Sequence, residues 1–218
     1  MSDSNIIPGR PPGYPVSFDV QRQLTGRNRA TTAFRLILAV PQLIIVGGGA
    51  FALRRYGTGA GIGGGGLSSA ATAMTIVAWF GIVFASRHPR GLWDFAAYYM
   101  RWRVRVGAYI ALFRDDYPPF GDEPYPTTFE STYPADAARD RLSVGLRLLY
   151  VIPHAIVLFF LLIAWFVTTV IAWFGILFSG NYPSGLYEFG VGVMRWQVRV
   201  EAYVLLMRDE YPPFSFDA

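Results

Sequence analysis

Long apolar runs alternate with short polar, arginine-rich segments along this chain. The first half holds two apolar segments, Ala33–Leu53 and Leu67–Ser86, on either side of a glycine-rich insert, RRYGTGAGIGGGG. Each segment has about the 20 residues that cross a hydrocarbon core, so the pattern predicts a transmembrane helical hairpin. In the second half the apolar run is continuous from Leu142 to Ser179. One straight helix of that length would measure about 57 Å, well beyond a hydrocarbon core of about 30 Å. We therefore expect a reversal near Leu162–Trp165, giving two tilted spans or a hairpin that enters the membrane without crossing it.

The chain is an internal duplication. The segment Trp79–Phe120 aligns without a gap to Trp173–Phe214, with more than half of the positions identical, and weaker similarity extends upstream. The sequence predicts a cytoplasmic segment over 1–32, a first repeat over 33–120, a linker with the start of the second repeat over 121–141, and a second repeat over 142–218. Two short polar pieces, YPVSFDV and YPTTFES, are predicted to form small cytoplasmic strands. The predicted fold class is an all-α membrane protein, with four transmembrane or hairpin-inserted helices in two parallel repeats.

A second type of helix is predicted after each hairpin. In Leu92–Phe113 the residues Asp94, Tyr98, Arg101 and Arg105 fall on one stripe of a helix. The second repeat keeps the charges of this stripe at Glu188, Arg195 and Arg199. The other faces carry aromatic and aliphatic residues, which is typical of an amphipathic helix lying at the membrane interface with its apolar side in lipid. The segment RWRVRV also alternates with period two, so a strand is the alternative.

The arginines of this stripe are candidates for binding anionic lipid, because basic groups near an anionic leaflet gain about 1 kcal/mol each. The candidates are Arg101, Arg105, Arg195 and Arg199. Pairing with the interfacial acids Asp94 and Glu188, or simple exposure to water, is the alternative.

Each repeat closes with the motif RD[DE]YPPF, which is RDDYPPF in the first copy and RDEYPPF in the second. The double proline cannot continue a helix, so the motif predicts a helix end, with its aromatic residues at the membrane boundary. A docking role for a partner is the alternative. The candidate residues for it are Arg114, Asp115, Tyr117, Arg208, Asp209 and Tyr211.

Two polar residues interrupt the apolar runs at equivalent positions. Gln42 follows Pro41, and His154 follows Pro153. A proline frees a backbone carbonyl one turn back, and a neighbouring polar side chain can satisfy it. The same pair could instead line a site for a quinone, a proton or a lipid head group.

Composition supports a membrane protein and offers little catalytic chemistry. The chain is 53% hydrophobic and 16% charged, it has no cysteine and only two histidines, and all 19 basic residues are arginines. We therefore expect no cofactor, no metal site, no nucleic-acid partner and no enzymatic activity. Arginines precede, separate and follow the two apolar regions, so the positive-inside rule places both termini in the cytoplasm.

The duplicated arginine-rich helices with MRW and VRV, closed by RD[DE]YPPF, resemble the bacterial integral membrane proteins grouped as domain of unknown function 4389. The resemblance implies a multi-pass protein of the bacterial plasma membrane and supplies no activity. The leading expectation is a non-catalytic accessory or scaffold protein that organises a membrane complex, a homo-oligomer or anionic lipid at the cytoplasmic face. The alternative is a lipid or small-solute carrier that uses the interface between the repeats.

Overall fold

The structure is a computed structural model, and it describes residues 14–47, 65–85, 88–134 and 140–217. The described chain is mostly helical and contains one two-stranded antiparallel sheet. Its elements in chain order are β1 (Val16–Val20), α1 (Arg29–Ala33), α2 (Arg35–Val46), α3 (Gly66–Ala85), α4 (Arg90–Ile110), β2 (Thr127–Ser131), α5 (Arg141–Gly145), α6 (Arg147–Ser179) and α7 (Ser184–Val204). Both predicted strands are confirmed, and they pair with each other.

A pseudo-two-fold axis relates the two repeats. In the β1–β2 ladder Phe18 lies opposite Phe129, its own counterpart in the other repeat, so the axis passes between these two residues. The helix that follows the long apolar segments in each repeat, α4 in the first and α7 in the second, is its return helix. Strand β1 packs on α7 and strand β2 packs on α4, so each strand contacts the return helix of the other repeat. The repeats are therefore interlocked rather than laid side by side.

The long helix α6 contradicts the predicted reversal near Leu162–Trp165. It runs unbroken for 33 residues, because the segment between Pro153 and Gly175 contains no glycine, proline or asparagine that could end a helix. The chain turns back only after Ser179, where Gly180 adopts φ 74°, a conformation that glycine takes without a steric penalty. The true hairpin of this repeat is thus α6 followed by α7.

The predicted hairpin of the first repeat, with one membrane span on each side of the glycine-rich insert, is also wrong. Together α2 and α3 follow the path that α6 follows as one helix. Gln42 of α2 contacts Trp102 as His154 of α6 contacts Trp196, and Trp79 of α3 binds a backbone carbonyl of the other repeat as Trp173 of α6 does. A Cβ atom on Gly65 would lie 2.1 Å from the backbone nitrogen of Gly47, so the end of α2 meets the start of α3. Residues 48–64, which include most of the glycine-rich insert and the end of the predicted span Ala33–Leu53, lie outside the described residues. The prediction took the glycine-rich insert as the turn of a hairpin. In the structure α3 instead continues along the path of α2.

Instead of four membrane helices, the described residues contain two that are long and apolar enough to cross a membrane. They are Gly66–Phe84 and Arg147–Ser179, while the apolar helix α2 is shorter. Large apolar side chains on the outer faces of α2, α3 and α6 are exposed, and Leu148 and Phe178 are 77% and 79% accessible.

Helices α4 and α7 form where the arginine-rich segments predicted them, which excludes the strand alternative for RWRVRV. Their predicted insertion into lipid is not what the structure shows. The aromatic side chains of α4, including Trp93, Trp102 and Tyr109, are buried inside the protein. Amphipathic periodicity shows that one face avoids water, and here that face packs on the long apolar helices and the sheet.

Both return helices end before the RD[DE]YPPF motif. Leu112 and Leu206 have φ of 64° and 61°, and the amide of Phe113 donates to the carbonyl of Ala108 over 2.9 Å. This is the hydrogen-bond pattern of a Schellman motif. Leucine disfavours this conformation, and burial of the Leu112 side chain in the core offsets the cost.

Candidate functional site

The closing motif of each repeat is docked on the repeat that carries it. Asp115 accepts hydrogen bonds from Arg27 over 2.7 Å and from Arg35 over 2.6 Å. Arg35 is buried and also donates to the backbone carbonyls of Tyr109 and Arg114. The Tyr109 carbonyl belongs to the end of α4 and the Arg114 carbonyl to the motif, so one guanidinium joins the start of α2, the end of α4 and the motif.

The second repeat reproduces this arrangement at Arg147. Its guanidinium donates to Asp209 over 2.6 Å and to the carbonyls of Tyr203 and Arg208 over 2.8 and 3.0 Å. It lies 4.2 Å from the centroid of the Tyr203 ring, a distance typical of a cation–π contact. Identical chemistry in both copies indicates a structural role.

The cations around Asp115 determine its ionisation. Burial alone would raise the pKa of this carboxyl group, but the hydrogen bonds from Arg27, the Asn28 amide and Arg35 outweigh burial and lower it. Asp115 is therefore held as a carboxylate between two buried arginines.

The other residues proposed for partner docking also have internal partners. Arg114 pairs with Asp116, and Arg208 pairs with Glu210. The Tyr211 hydroxyl donates to the Tyr150 carbonyl over 3.1 Å, and the half-exposed Tyr117 packs edge-on against Tyr109 with the ring centroids 5.5 Å apart.

Gln42 and His154 hold the closing motif rather than repairing a proline kink. The Gln42 amide donates to the carbonyl of Pro118 over 2.7 Å and accepts from the indole of Trp102 over 2.8 Å. In the second repeat the indole of Trp196 donates to His154 over 3.1 Å, and the backbone of Pro212 lies against the same ring. Glutamine and histidine replace each other because each offers a donor and an acceptor.

The four candidate lipid-binding arginines have protein partners. Arg101 and Arg105 pair with Asp122, and hydrogen bonds from Arg101 hold the pKa of that carboxyl group below its usual range. Arg195 pairs with Asp19 over 3.0 Å, and Arg199 donates to the carbonyls of Ser215 and Asp217. The interfacial acids sit elsewhere, since Asp94 faces Arg90 and Glu188 pairs with Arg22.

A cavity of about 640 Å³ lies between the two repeats. One wall comes from α3 of the first repeat, and the opposite wall comes from the start of α6 and the end of α7 in the second. Three of its lining residues, Ile76, Phe80 and Leu148, are among the exposed residues of the outer apolar face. The cavity therefore opens on that apolar face.

The floor of this cavity is polar. Arg103 from α4 and Glu201 from α7 form an ion pair with Nε and Oε1 2.6 Å apart, and both side chains are largely buried. The Tyr99 hydroxyl lies 3.5 Å from Glu201, and Gln197 lines the same space. Burial would lower the pKa of Arg103, but Glu201 and Tyr99 outweigh that effect and raise it. The floor thus combines donors and acceptors around a neutralised ion pair.

The cavity breaks the pseudo-symmetry. Ala71 lines it, and the residue at the equivalent position of the second repeat is Trp165. Trp165 is buried and stacks on Phe113 with the ring centroids 6.1 Å apart. An indole thus fills the position where the first repeat has a methyl group.

Sequence reasoning missed this site, although the aligned repeats contain a signal for it. Arg103 aligns with Gln197, and Glu201 aligns with Gly107. At each of these positions one copy of the unit has a charged residue and the other has a neutral one, so the two copies differ in chemistry there. The two charged residues, Arg103 and Glu201, pair in one cavity.

Comparison with protein families matches both halves of the chain to one family model. The model of a domain of unknown function (DUF4389) matches residues 64–121 and 141–215, which correspond to the two repeats. The comparisons with curated proteins and with solved structures found no match.

Proposed function

The chain belongs to the family of the domain of unknown function 4389, and we propose that it is a membrane-associated binding protein that holds a lipid in the cavity between its repeats. The proposal develops the alternative that the sequence offers, a lipid or small-solute carrier that uses the interface between the two repeats, and it assigns a specific site to the lipid. The observation that carries the proposal is the difference between Ala71, which leaves the site open, and Trp165, which fills its counterpart.

The size and lining of the cavity suit such a ligand. Sites for small molecules usually enclose about 300–1,000 Å³ and combine apolar walls with a few polar groups. Here the walls are mainly apolar side chains of α3, α6 and α7, with Ser68, Thr72, Thr75 and Arg147 among them, and further polar groups form the floor. The opening on the apolar outer face would let a lipid chain enter without crossing water.

The charge of the floor favours one class of head group. Glu201 neutralises Arg103, and Asp209 pairs with Arg147, the other arginine that lines the cavity, so an added anion would find both cations already paired. The Tyr99 hydroxyl and the Gln197 amide can donate and accept hydrogen bonds. We therefore assign to the site a lipid whose head group is uncharged and forms hydrogen bonds.

The leading expectation from sequence, a non-catalytic accessory or scaffold protein that organises a membrane complex or anionic lipid at the cytoplasmic face, stays a prediction. Arg101, Arg105, Arg195 and Arg199 each donate to at least one protein partner, so anionic lipid would have to compete with those partners. Three further expectations stay predictions: that the protein lies in the bacterial plasma membrane, that its chain crosses the membrane several times, and that both termini are in the cytoplasm.

The test is native mass spectrometry of the protein extracted gently from its membrane, comparing the wild type with Ala71→Trp. The substitution places in the cavity the side chain that the second repeat already accommodates. Ala73→Trp is the matched control, because Ala73 is exposed on the same helix outside the cavity.

We expect a lipid retained at one copy per chain in the wild type and in Ala73→Trp, and lost in Ala71→Trp. Unchanged thermal unfolding of Ala71→Trp would show that the loss is local. Retention of the same lipid by Ala71→Trp, or no retained lipid in the wild type, would overturn the proposal.

A further inference from the structure

The longest apolar helix exposes one face to the outside along its whole length. Its buried positions form a single stripe, which includes His154, Trp165 and Ile176. Directly opposite, at both ends and in the middle, lie exposed residues such as Leu149, at 60%, and Phe174, at 48%. This face is too long for a perpendicular span, because 33 residues extend over about 50 Å and a hydrocarbon core measures about 30 Å.

The layer behind α6 is charged along the same length. Helix α7 runs antiparallel to α6, since Arg147 contacts Tyr203 and His154 contacts Trp196. The outer side of α7 carries β1, where Asp19 is 70% exposed and pairs with Arg195. If α6 crossed a bilayer, this ion pair and the open edges of a two-stranded sheet would lie beside it at membrane depth, where unsatisfied backbone groups are not tolerated.

The symmetry of the repeats independently indicates that the long helices do not cross a bilayer along its normal. Trp79 of α3 donates to the carbonyl of Val144, and Trp173 of α6 donates to the carbonyl of Thr32. The start of each long apolar path therefore lies beside the end of the other, and the two paths are antiparallel. An axis that relates antiparallel helices is perpendicular to them, and this axis also passes through the sheet between Phe18 and its counterpart.

The three layers are therefore stacked along the axis: the sheet, then α4 and α7, then the apolar layer formed by α2, α3 and α6. Charge separates in the same direction. Helix α3 has no charged residue, and α6 has none after Arg147, whereas the exposed side of the sheet carries Asp19 and Glu130.

We propose that the apolar layer lies flat in one leaflet of a phospholipid bilayer, with the pseudo-two-fold axis along the membrane normal and the sheet in water. The protein is then monotopic, and α3 and α6 do not cross the membrane. Its two repeats sit at equal depth and face the same way, as the parallel-repeat prediction requires. This inference goes beyond the proposed function, which concerns the cavity and holds or fails separately.

Site-directed spin labelling in vesicles of phosphatidylethanolamine and phosphatidylglycerol tests the orientation. The chain has no cysteine, so each label has one position. Single cysteines replace Leu149, Ile156, Val167 and Phe174, which all lie opposite the buried stripe of α6. Thr128→Cys, on the exposed side of the sheet, is the water-facing control.

The depth of each label is measured from its collisions with oxygen and with a water-soluble nickel complex. A flat helix gives the same depth at all four positions, together with a control label that meets mainly the nickel complex. A crossing helix separates Leu149 from Phe174 by about 38 Å along the axis, which places them near opposite head-group layers with the other two labels deeper. That depth profile, or labels on α6 that stay water-exposed with vesicles present, would overturn the proposal.

Discussion

Replacement of Asp115 by asparagine tests whether the closing motif holds the fold together from inside the protein. The substitution keeps the shape of the side chain, removes the negative charge and turns an amide toward two arginines. The side chains of Arg27 and Arg35 are 0% and 1% exposed and that of Asp115 is 12% exposed, so water cannot replace the lost partner. Removal of one member of a buried ion pair costs about 3–5 kcal/mol.

The adjacent carboxylate provides the control. Asp116 pairs with Arg114 over 2.6 Å, but its side chain is 54% exposed, and exposed pairs contribute about 0–1 kcal/mol. For a chain of this length 1 kcal/mol shifts the unfolding midpoint by roughly 2–4 °C. We expect Asp115→Asn to lower the midpoint by roughly 6–20 °C and Asp116→Asn by less than about 4 °C.

Thermal unfolding in detergent, followed by the fluorescence of the six tryptophans, measures both midpoints. Equal shifts for the two variants would refute the reasoning, because an interfacial motif without internal docking would respond alike at both positions.

Three further outcomes follow from the structure. Because the pKa of Asp115 is lowered in the folded protein, its stabilisation is complete above its unfolded value of about 3.9 and is lost as the pH falls through the folded value; the acid dependence of the midpoint should be weaker in Asp115→Asn. Gln42→Leu should lower the midpoint, since the Pro118 carbonyl and the Trp102 indole lose their partner, whereas Gln42→His should restore most of it; equal midpoints for the two variants would contradict the hydrogen-bonding role. Trp165→Ala should cost about 3–5 kcal/mol and open a second cavity, detected as a second retained lipid in native mass spectrometry; an unchanged midpoint would contradict the packing argument.

The repeat allowed the sequence to predict much of the scaffold. Duplicated segments gave the positions of α4, α7 and the two strands, because each of these elements is specified by its own local pattern and appears twice. The strands could be located but not paired, since nothing local shows that Phe18 meets Phe129 across the axis.

The reversal near Leu162–Trp165 and the four spans were predicted wrongly because hydropathy reports only that a segment avoids water. It does not show where such a segment turns back, and α6 continues unbroken as far as Ser179. A local signal was present, since Arg35 and Arg147 interrupt the beginnings of the two apolar runs. A charge at that place requires a buried partner, and the partner is the acid of the closing motif.

The distribution of symmetric and asymmetric residues separates scaffold from site. Contacts that both repeats keep, such as the buried arginine with its motif acid, fasten the long helices to the return helices. The differences concentrate around one place, because the glycine-rich insert breaks the first long path between Val46 and Gly65, and Val46 and Ala71 both line the cavity. The second repeat has an unbroken helix and Trp165 there. A cavity lowers stability because it removes packing contacts, and a buried ion pair is weak evidence of stabilisation. Stability alone therefore does not explain why one of two equivalent positions is open and has an ion pair at its floor. The cavity is therefore where a function specific to this protein should be sought.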